Sequence, residues 1–257
     1  MKTENQHRET QIPVHRNLNT AEAKEDALTN MEKCEKPLPA ACQNNNILDV
    51  RCLLFDLDGT LTDSAPGILH SVQYALEKFS MHLPEETLNR FIGPPLRESF
   101  RRYAGMNHTE AECAVKWYRE CFVGQGAMFE NTVYDGIEAA LQALRSRGVP
   151  LAVATAKPEV YAIQILDRFG LTTFFEQIHG ATLDGTVDTK TQVIQNAIQA
   201  LPYRSFLMLG DREQDITGAH FCGIPAYGVL WGYGSVQELM SAGADRLLQV
   251  PQELQVL

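Results

Sequence analysis

The sequence predicts an α/β protein built on a parallel sheet with helices on both faces. Three observations carry that expectation. Beyond residue 128, short apolar runs alternate with stretches of helical period: Val149–Ala154 then Glu159–Phe169, Phe206–Leu209 then a helix through Ile216 and Ala219, and finally Ala226–Val229. Such alternation is the pattern of strand–helix units. A first apolar run, Val50–Phe55, ends abruptly in Asp56-Leu57-Asp58-Gly59-Thr60, as a buried parallel strand does where it meets a ligand loop. Between that run and the rest, residues 65–128 show helical spacing only, so an all-helical unit interrupts the α/β pattern.

Taken in order, residues 1–49 are rich in Asn, Glu, Gln, Lys and Thr and bury too little to offset their ordering entropy. They read as a polar extension, with a short helix over Thr20–Leu28 capped by Thr20, and Pro37 and Pro39 beyond it. Ile68, Val72, Ala75, Leu76 and Phe79 recur at three- and four-residue spacing, which predicts a helix over Ala65–Phe79 with Pro66 in its first turn and Ser64 or Asp63 as cap. A short helix at Pro84–Leu88 precedes the bend Gly93-Pro94-Pro95, then comes a helix carrying Arg97, Phe100, Arg101, Arg102 and Tyr103. The next helix, Thr109–Phe122, turns Ala114, Trp117, Tyr118 and Cys121 inward and stops at Gly124 and Gly126. In the α/β part, Gly148 ends a helix through Ile137, Ala140, Leu141 and Leu144. Val160, Ile163, Leu166 and Phe169 define one face of the helix at 159–169, and Phe175–Gly180 is a weaker strand. Thr189 caps a helix running to Leu201, and a glycine-rich segment, Gly228 to Ser235, leads to a last helix with Val236, Leu239 and Met240.

Composition narrows the function. The net charge of −10 comes with no basic patch, which argues against a nucleic-acid partner. It leaves room for a small phosphorylated metabolite, because a local lysine, a metal and backbone N–H groups can reverse the field. No apolar run approaches membrane-spanning length, and the polar N-terminus lacks the apolar core of a secretory signal. Six cysteines without a Cys-x-x-Cys pair argue against zinc and a disulfide framework. The expectation is a cytoplasmic protein.

Chemistry concentrates at predicted strand ends. Asp56 and Asp58, two apart on an extended segment, point to the same side and repel one another; a cation, or a proton shared with a substrate, relieves this. Asp211 and Asp215 lie four apart where the strand Phe206–Leu209 gives way to a helix. Hard oxygen ligands so placed suit Mg²⁺, whereas helix capping accounts for one of them and poorly for both. Thr155, at another strand end, fits either a donor to a phosphoryl oxygen or a turn former, and Lys157 either a substrate contact or a solvated residue. The histidines at 70, 82, 108, 179 and 220 have no ligand spacing.

The stretch Arg51 to Ser64, with Val153-Ala154-Thr155-Ala156-Lys157-Pro158 and Gly210-Asp211-Arg212-Glu213-Gln214-Asp215, resembles the signature of the haloacid dehalogenase superfamily, most nearly its phosphoglycolate phosphatase-like branch. The likeness runs from Arg51 to the C-terminus and leaves residues 1–49 uncovered. It implies a Rossmann-like catalytic core at 50–64 and 129–257, with 65–128 as an inserted helical cap that closes over substrate. By the same resemblance Asp56 is the nucleophile and Asp58 the general acid/base. Thr155 grips the phosphoryl group and Lys190 neutralises it, Lys190 being the sole lysine between Lys157 and the acidic motif. Asp56, the backbone carbonyl of Asp58 and Asp211 bind Mg²⁺, with Asp215 an outer ligand or a residue that orients Lys190. Dehalogenase branches lack the second aspartate, so its presence favours phosphoryl chemistry. The glycine-rich segment is taken as structural packing below the site.

The resulting expectation is a Mg²⁺-dependent phosphatase working through an aspartyl-phosphate, with 2-phosphoglycolate as the leading substrate. Arg97 or Arg101 near the Phe91–Leu96 loop is placed to hold a carboxylate. A 5'-nucleotidase is next, followed by a phosphomutase or a phosphonate hydrolase, the last needing Lys78 or Lys116 as a Schiff-base lysine. A silent scaffold that uses the N-terminal extension is the reading of a different class.

Overall fold

The computed structural model describes residues 48–257, so the polar extension and the helix expected at 20–28 lie outside the described residues. Strand β1 (Leu48–Phe55) is the centre of a six-stranded parallel sheet. The other five strands are β4 (Leu151–Pro158), β5 (Gln177–Ala181), β6 (Tyr203–Gly210), β7 (Ala226–Val229) and β8 (Arg246–Leu248), and the order across the sheet is β5-β4-β1-β6-β7-β8. From β1 the chain builds outward first on one side, through β4 and β5, and then on the other, through β6 to β8. This reversal opens a crevice at the carboxyl end of β1, where ligands of open parallel sheets bind.

Alternation along β1 divides the core. Leu53 and Phe55 pack with Leu141, Leu144, Ile165 and Leu166 on one face, and Cys52 and Leu54 pack with Val193, Ile194, Ile216 and Ala219 on the other. The helices that supply those layers are α5 (Ile137–Ser146), α6 (Glu159–Arg168), α7 (Lys190–Ala200) and α8 (Glu213–Phe221), with the short α9 (Val236–Ser241) beside α8. Gly148 stops α5 with φ +76, as the sequence requires. A threonine capping box starts α7: Thr189 accepts from Gln192 N–H, and the Gln192 side chain returns to Thr189 N–H.

A two-stranded antiparallel ribbon, β2 (Thr62–Asp63) with β3 (Thr132–Val133), marks where the chain leaves and rejoins this core. Between the two strands lie helices α1 (Ala65–Glu77), α2 (Glu85–Leu88), α3 (Leu96–Tyr103) and α4 (His108–Arg119). An asparagine capping box at Asn107 starts α4. The helix then widens into a π-turn, Glu120–Gly124, which carries Cys121 and Phe122 inward. Among the described residues no helix is long and apolar enough to cross a membrane.

Several expected faces are rotated. In α6 the buried stripe is Ala162, Ile165 and Leu166, whereas Val160 and Ile163 are exposed, because apolar spacing alone fits either stripe. Trp117 is partly exposed, its ring beside the Lys78 ammonium at 5.2 Å. In α9 only Leu239 is buried, and Val236 and Met240 face out. Strand β8 and the terminal 3₁₀ turn Pro251–Val256 were not expected; the turn packs on α5.

Candidate active site

The first loop of the site is shaped by Gly59. Its φ of +81 lets the N–H groups of Thr60, Leu61 and Thr62 all fold back onto the Leu57 carbonyl, at 3.3, 2.9 and 3.0 Å. This tight turn leaves Asp56 at the end of β1 and Asp58 beside it. Leu57 N–H donates to Asp56 Oδ1 at 2.8 Å, which fixes the carboxylate's rotamer. A Cβ at Gly59 would collide with the Asp211 carboxylate, so the turn must be glycine for close approach as well as for its dihedral.

Neighbouring strands bring the other groups to this loop. Lys190, the first residue of α7, is buried and reaches across the end of β4. Its Nζ lies 2.7 Å from Asp56 Oδ1 and 2.8 Å from Asp215 Oδ1, and donates to the Ala154 carbonyl at 3.1 Å. Asp211 follows β6 directly, and Asp215 lies in the first turn of α8, where its Oδ2 accepts from Arg212 N–H at 3.0 Å. Thr155, buried in β4, accepts from Lys157 N–H at 3.2 Å through Oγ1, so its hydroxyl proton is left for another acceptor. Lys157 Nζ lies 3.0 Å from Asp58 Oδ2 and 4.7 Å from the centre of the Phe122 ring.

The electrostatics follow from this crowding. Asp56, Asp211 and Asp215 are buried and each offers an oxygen within 4.8 Å of the others. Against three carboxylates there is, among the described residues, one ammonium in direct contact, Lys190. Burial by itself would lower the lysine's pKa, but Asp215 and Asp56 outweigh it and hold Lys190 above the ordinary lysine value. Burial, then the charges of Asp215 and Asp56, pushes Asp211 well above the carboxylate range. Asp215 is raised to about 6, mainly by burial, with Lys190 opposing the rise. A buried cluster short of positive charge, made of oxygen donors, with Asp58 Oδ1 buried and unpartnered beside it, has the donor chemistry of a Mg²⁺ site.

A pocket opens over Asp56, Asp58, Thr155 and Lys157. Its far wall is apolar and aromatic: Ile68, Phe91, Leu96, Val115, Tyr118, Phe122 and Tyr161. Arg97 lines it but gives its Nε to Glu112 Oε1 at 2.5 Å. Arg119 also lines it and donates to the Leu183 carbonyl at 3.0 Å. Arg101 is exposed on α3 and does not line the pocket, contrary to the expected substrate contact, because the buried face of α3 is Ser99 and Phe100. Lys78 and Lys116 do not line it either.

The glycine-rich segment proves to be part of the site. Tyr233 N–H donates to Asp211 Oδ2 at 2.8 Å, and Thr60 Oγ1 to Asp211 Oδ1 at 3.3 Å. Trp231 Nε1 donates to the Thr60 carbonyl at 2.9 Å. Arg212, between the two acidic positions, is held by Glu238 at 2.8 Å and donates to the Ile92 carbonyl of the helical insert. The glycines and aromatics at 231–234 were a sequence signal; their contact with Asp211 was not.

The model of the haloacid dehalogenase-like hydrolase family matches residues 53–229, a span that contains every group just described except Tyr233, Glu238 and Trp231. A 5'-nucleotidase of Pseudomonas aeruginosa is 43% identical over 190 residues, covering 73% of this chain and 86% of that protein. The tyrosine-protein kinase PtkA of Mycobacterium tuberculosis is 42% identical over 186 residues, covering 71% of this chain and 62% of the kinase. A phosphoglycolate phosphatase of Neisseria meningitidis is 29% identical over 212 residues, covering 79% and 90%. Among solved structures, one described as a predicted phosphatase from Clostridium acetobutylicum superposes with a TM-score of 0.77 at 45% identity, covering 81% of this chain and 98% of that one. The parallel sheet, the acidic crevice and these likenesses agree: the chain belongs to the haloacid dehalogenase-like hydrolase family.

Proposed function

We propose that this hydrolase is a Mg²⁺-dependent phosphatase that cleaves a nucleoside monophosphate-like ester through a phosphoryl group carried on Asp56. The observation that carries the reading is the Asp56–Lys190–Asp215 chain of contacts, 2.7 and 2.8 Å long, with Asp211 alongside. Both contacts of Asp56 are made at Oδ1, which leaves Oδ2 to attack phosphorus. In the first step the new bond from Asp56 to phosphorus forms as the ester oxygen departs, and a protonated Asp58 gives that oxygen its proton. In the second, the Asp58 carboxylate takes a proton from water. The water oxygen bonds to phosphorus, and the acyl-phosphate bond breaks to restore the Asp56 carboxylate. Thr155 donates its hydroxyl to a phosphoryl oxygen, and Lys190 balances charge on the nucleophile. Asp56, Asp211, Asp215 and the Asp58 carbonyl are the groups that would hold Mg²⁺, which when bound supplies positive charge to screen carboxylate from phosphate. The helical insert, residues 65–128, acts as the cap that closes over the pocket and excludes water.

The pocket wall supports this choice of leaving group. Four aromatic rings and three aliphatic side chains suit a planar base, while Arg97 and Arg119 each already have a partner, Glu112 and the Leu183 carbonyl. This reverses the order read from sequence, in which 2-phosphoglycolate came first. Release of phosphate from nucleoside 5'-monophosphates should exceed that from 2-phosphoglycolate at least tenfold in kcat/KM; the opposite ranking would restore the two-carbon acid. Replacing Glu112 by Ala removes the acceptor that holds Arg97, so E112A is expected to improve 2-phosphoglycolate hydrolysis severalfold while nucleotide hydrolysis changes little, which steady-state assays on both substrates would show. Neither Lys78 nor Lys116 lines the pocket, so the phosphonate-hydrolase alternative lacks the cap lysine it calls for.

A further inference from the structure

We propose that Tyr233 is a positioning residue that ties metal binding at Asp211 to the hinge through which the chain enters the cap. Ser64, the N-cap residue of helix α1, makes no side-chain capping hydrogen bond, and its Oγ is buried without a partner; the local acceptor is Asp63 Oδ1, 3.3 Å from Ala65 N–H. The shorter contacts to the first N–H groups come from the Tyr233 phenol, which accepts from Ser64 N–H at 2.7 Å and from Ala65 N–H at 2.9 Å. The same phenol donates to Asp63 Oδ1 at 2.8 Å. A phenol has one donor and two acceptor lone pairs, and all three are spent on residues 63–65. Those residues sit where β2 hands the chain to α1.

The other end of Tyr233 is fixed on the candidate metal ligand by its own N–H, 2.8 Å from Asp211 Oδ2. The backbone between the two ends cannot drift independently. A Cβ at Gly232 would collide with the Gly59 carbonyl and the Asp211 side chain, and one at Gly234 with the Asp211 carbonyl, so the loop lies directly on that residue. A shift of the Asp211 carboxylate therefore reaches the Ser64 and Ala65 amides through one residue. By reciprocity, whatever loosens the hinge from the phenol also weakens metal affinity. The phenol itself is held neutral by burial, which raises its pKa.

The inference rests on the magnesium reading above, and its test separates the two. On the full chain, hydrogen exchange at the Ser64 and Ala65 amides and the Mg²⁺ Kd by titration calorimetry are measured with Mg²⁺ alone, for the wild type, Y233F and W231F. In the wild type Mg²⁺ should slow exchange at both amides at least fivefold. In Y233F the backbone N–H survives, so Mg²⁺ should still bind, with a Kd raised by about the factor by which Mg²⁺ slows exchange in the wild type, while both amides exchange at least tenfold faster and no longer respond to Mg²⁺. KM should rise more than kcat falls. W231F loses a hydrogen bond from the same loop to Thr60 and should keep the Mg²⁺ response. Mg²⁺ that binds the wild type without slowing these amides would overturn the proposal, as would a Y233F protein that keeps the response or whose exchange rises uniformly through the sheet. Failure of Mg²⁺ to bind the wild type at all would remove the magnesium reading and this coupling with it.

Discussion

Asp56→Asn is expected to release no measurable phosphate, a loss of at least about 10⁴-fold in kcat, while its unfolding midpoint in Mg²⁺-free buffer stays within a few degrees of the wild type. An amide cannot form the acyl-phosphate, and among the described residues the other buried carboxylates of the site are already engaged: Asp215 by Lys190 and the Arg212 N–H, and Asp211 by Tyr233 and Thr60. The fold should survive because the new amide oxygen still accepts from Leu57 N–H and because one of three crowded negative charges is gone. Steady-state phosphate release and thermal unfolding on the same preparation check both halves. Activity within tenfold of the wild type would remove Asp56 from its role.

Lys190→Met is expected to be the most destabilising change in the site. Among the described residues its ammonium is the one cation touching Asp56 and Asp215, both buried, and methionine leaves them facing each other. Breaking a buried ion pair by removing one partner costs about 3–5 kcal/mol, partly relieved here if one carboxylate takes up a proton. The Mg²⁺-free K190M protein should therefore unfold at much lower urea than the wild type. Saturating Mg²⁺ should recover more stability in the variant than in the wild type, because the ion replaces the missing charge. Urea titrations with and without Mg²⁺ measure this; equal Mg²⁺ increments in both proteins would show that the lysine and the ion do not share a charge site.

How much of this was legible in the sequence depends on distance along the chain. Asp56 and Asp58 announce themselves by spacing at the end of an apolar run, and Asp211 and Asp215 by spacing at a strand-to-helix turn; both patterns are local. Lys190 carries no such mark and was reached through the family resemblance, though its capping box starts α7 as read. Tyr233 was missed because its phenol partners lie 168 to 170 residues away and a glycine-rich loop gives no hint of what it touches. The arginines of the helical insert divide for a related reason: sequence shows cations near a loop, whereas the structure puts Arg97 at the pocket beside Glu112 of the next helix and leaves Arg101 outside it. The rotated faces of α6 and α9 show the limit of periodicity, which gives the stripe's spacing and not the side that meets the sheet.

In the proposed reaction Asp56 carries the phosphoryl group between two steps. The most direct measurement is rapid acid quench of Asp58→Asn with Mg²⁺ and a labelled aryl phosphate, whose leaving group departs without needing a proton, followed by peptide mapping. The amide now at position 58 cannot take the proton from water, so the second step stalls and one phosphoryl group should accumulate on Asp56. Label on any other residue, or turnover in that variant with Asp56 unlabelled at every time point, would contradict the account.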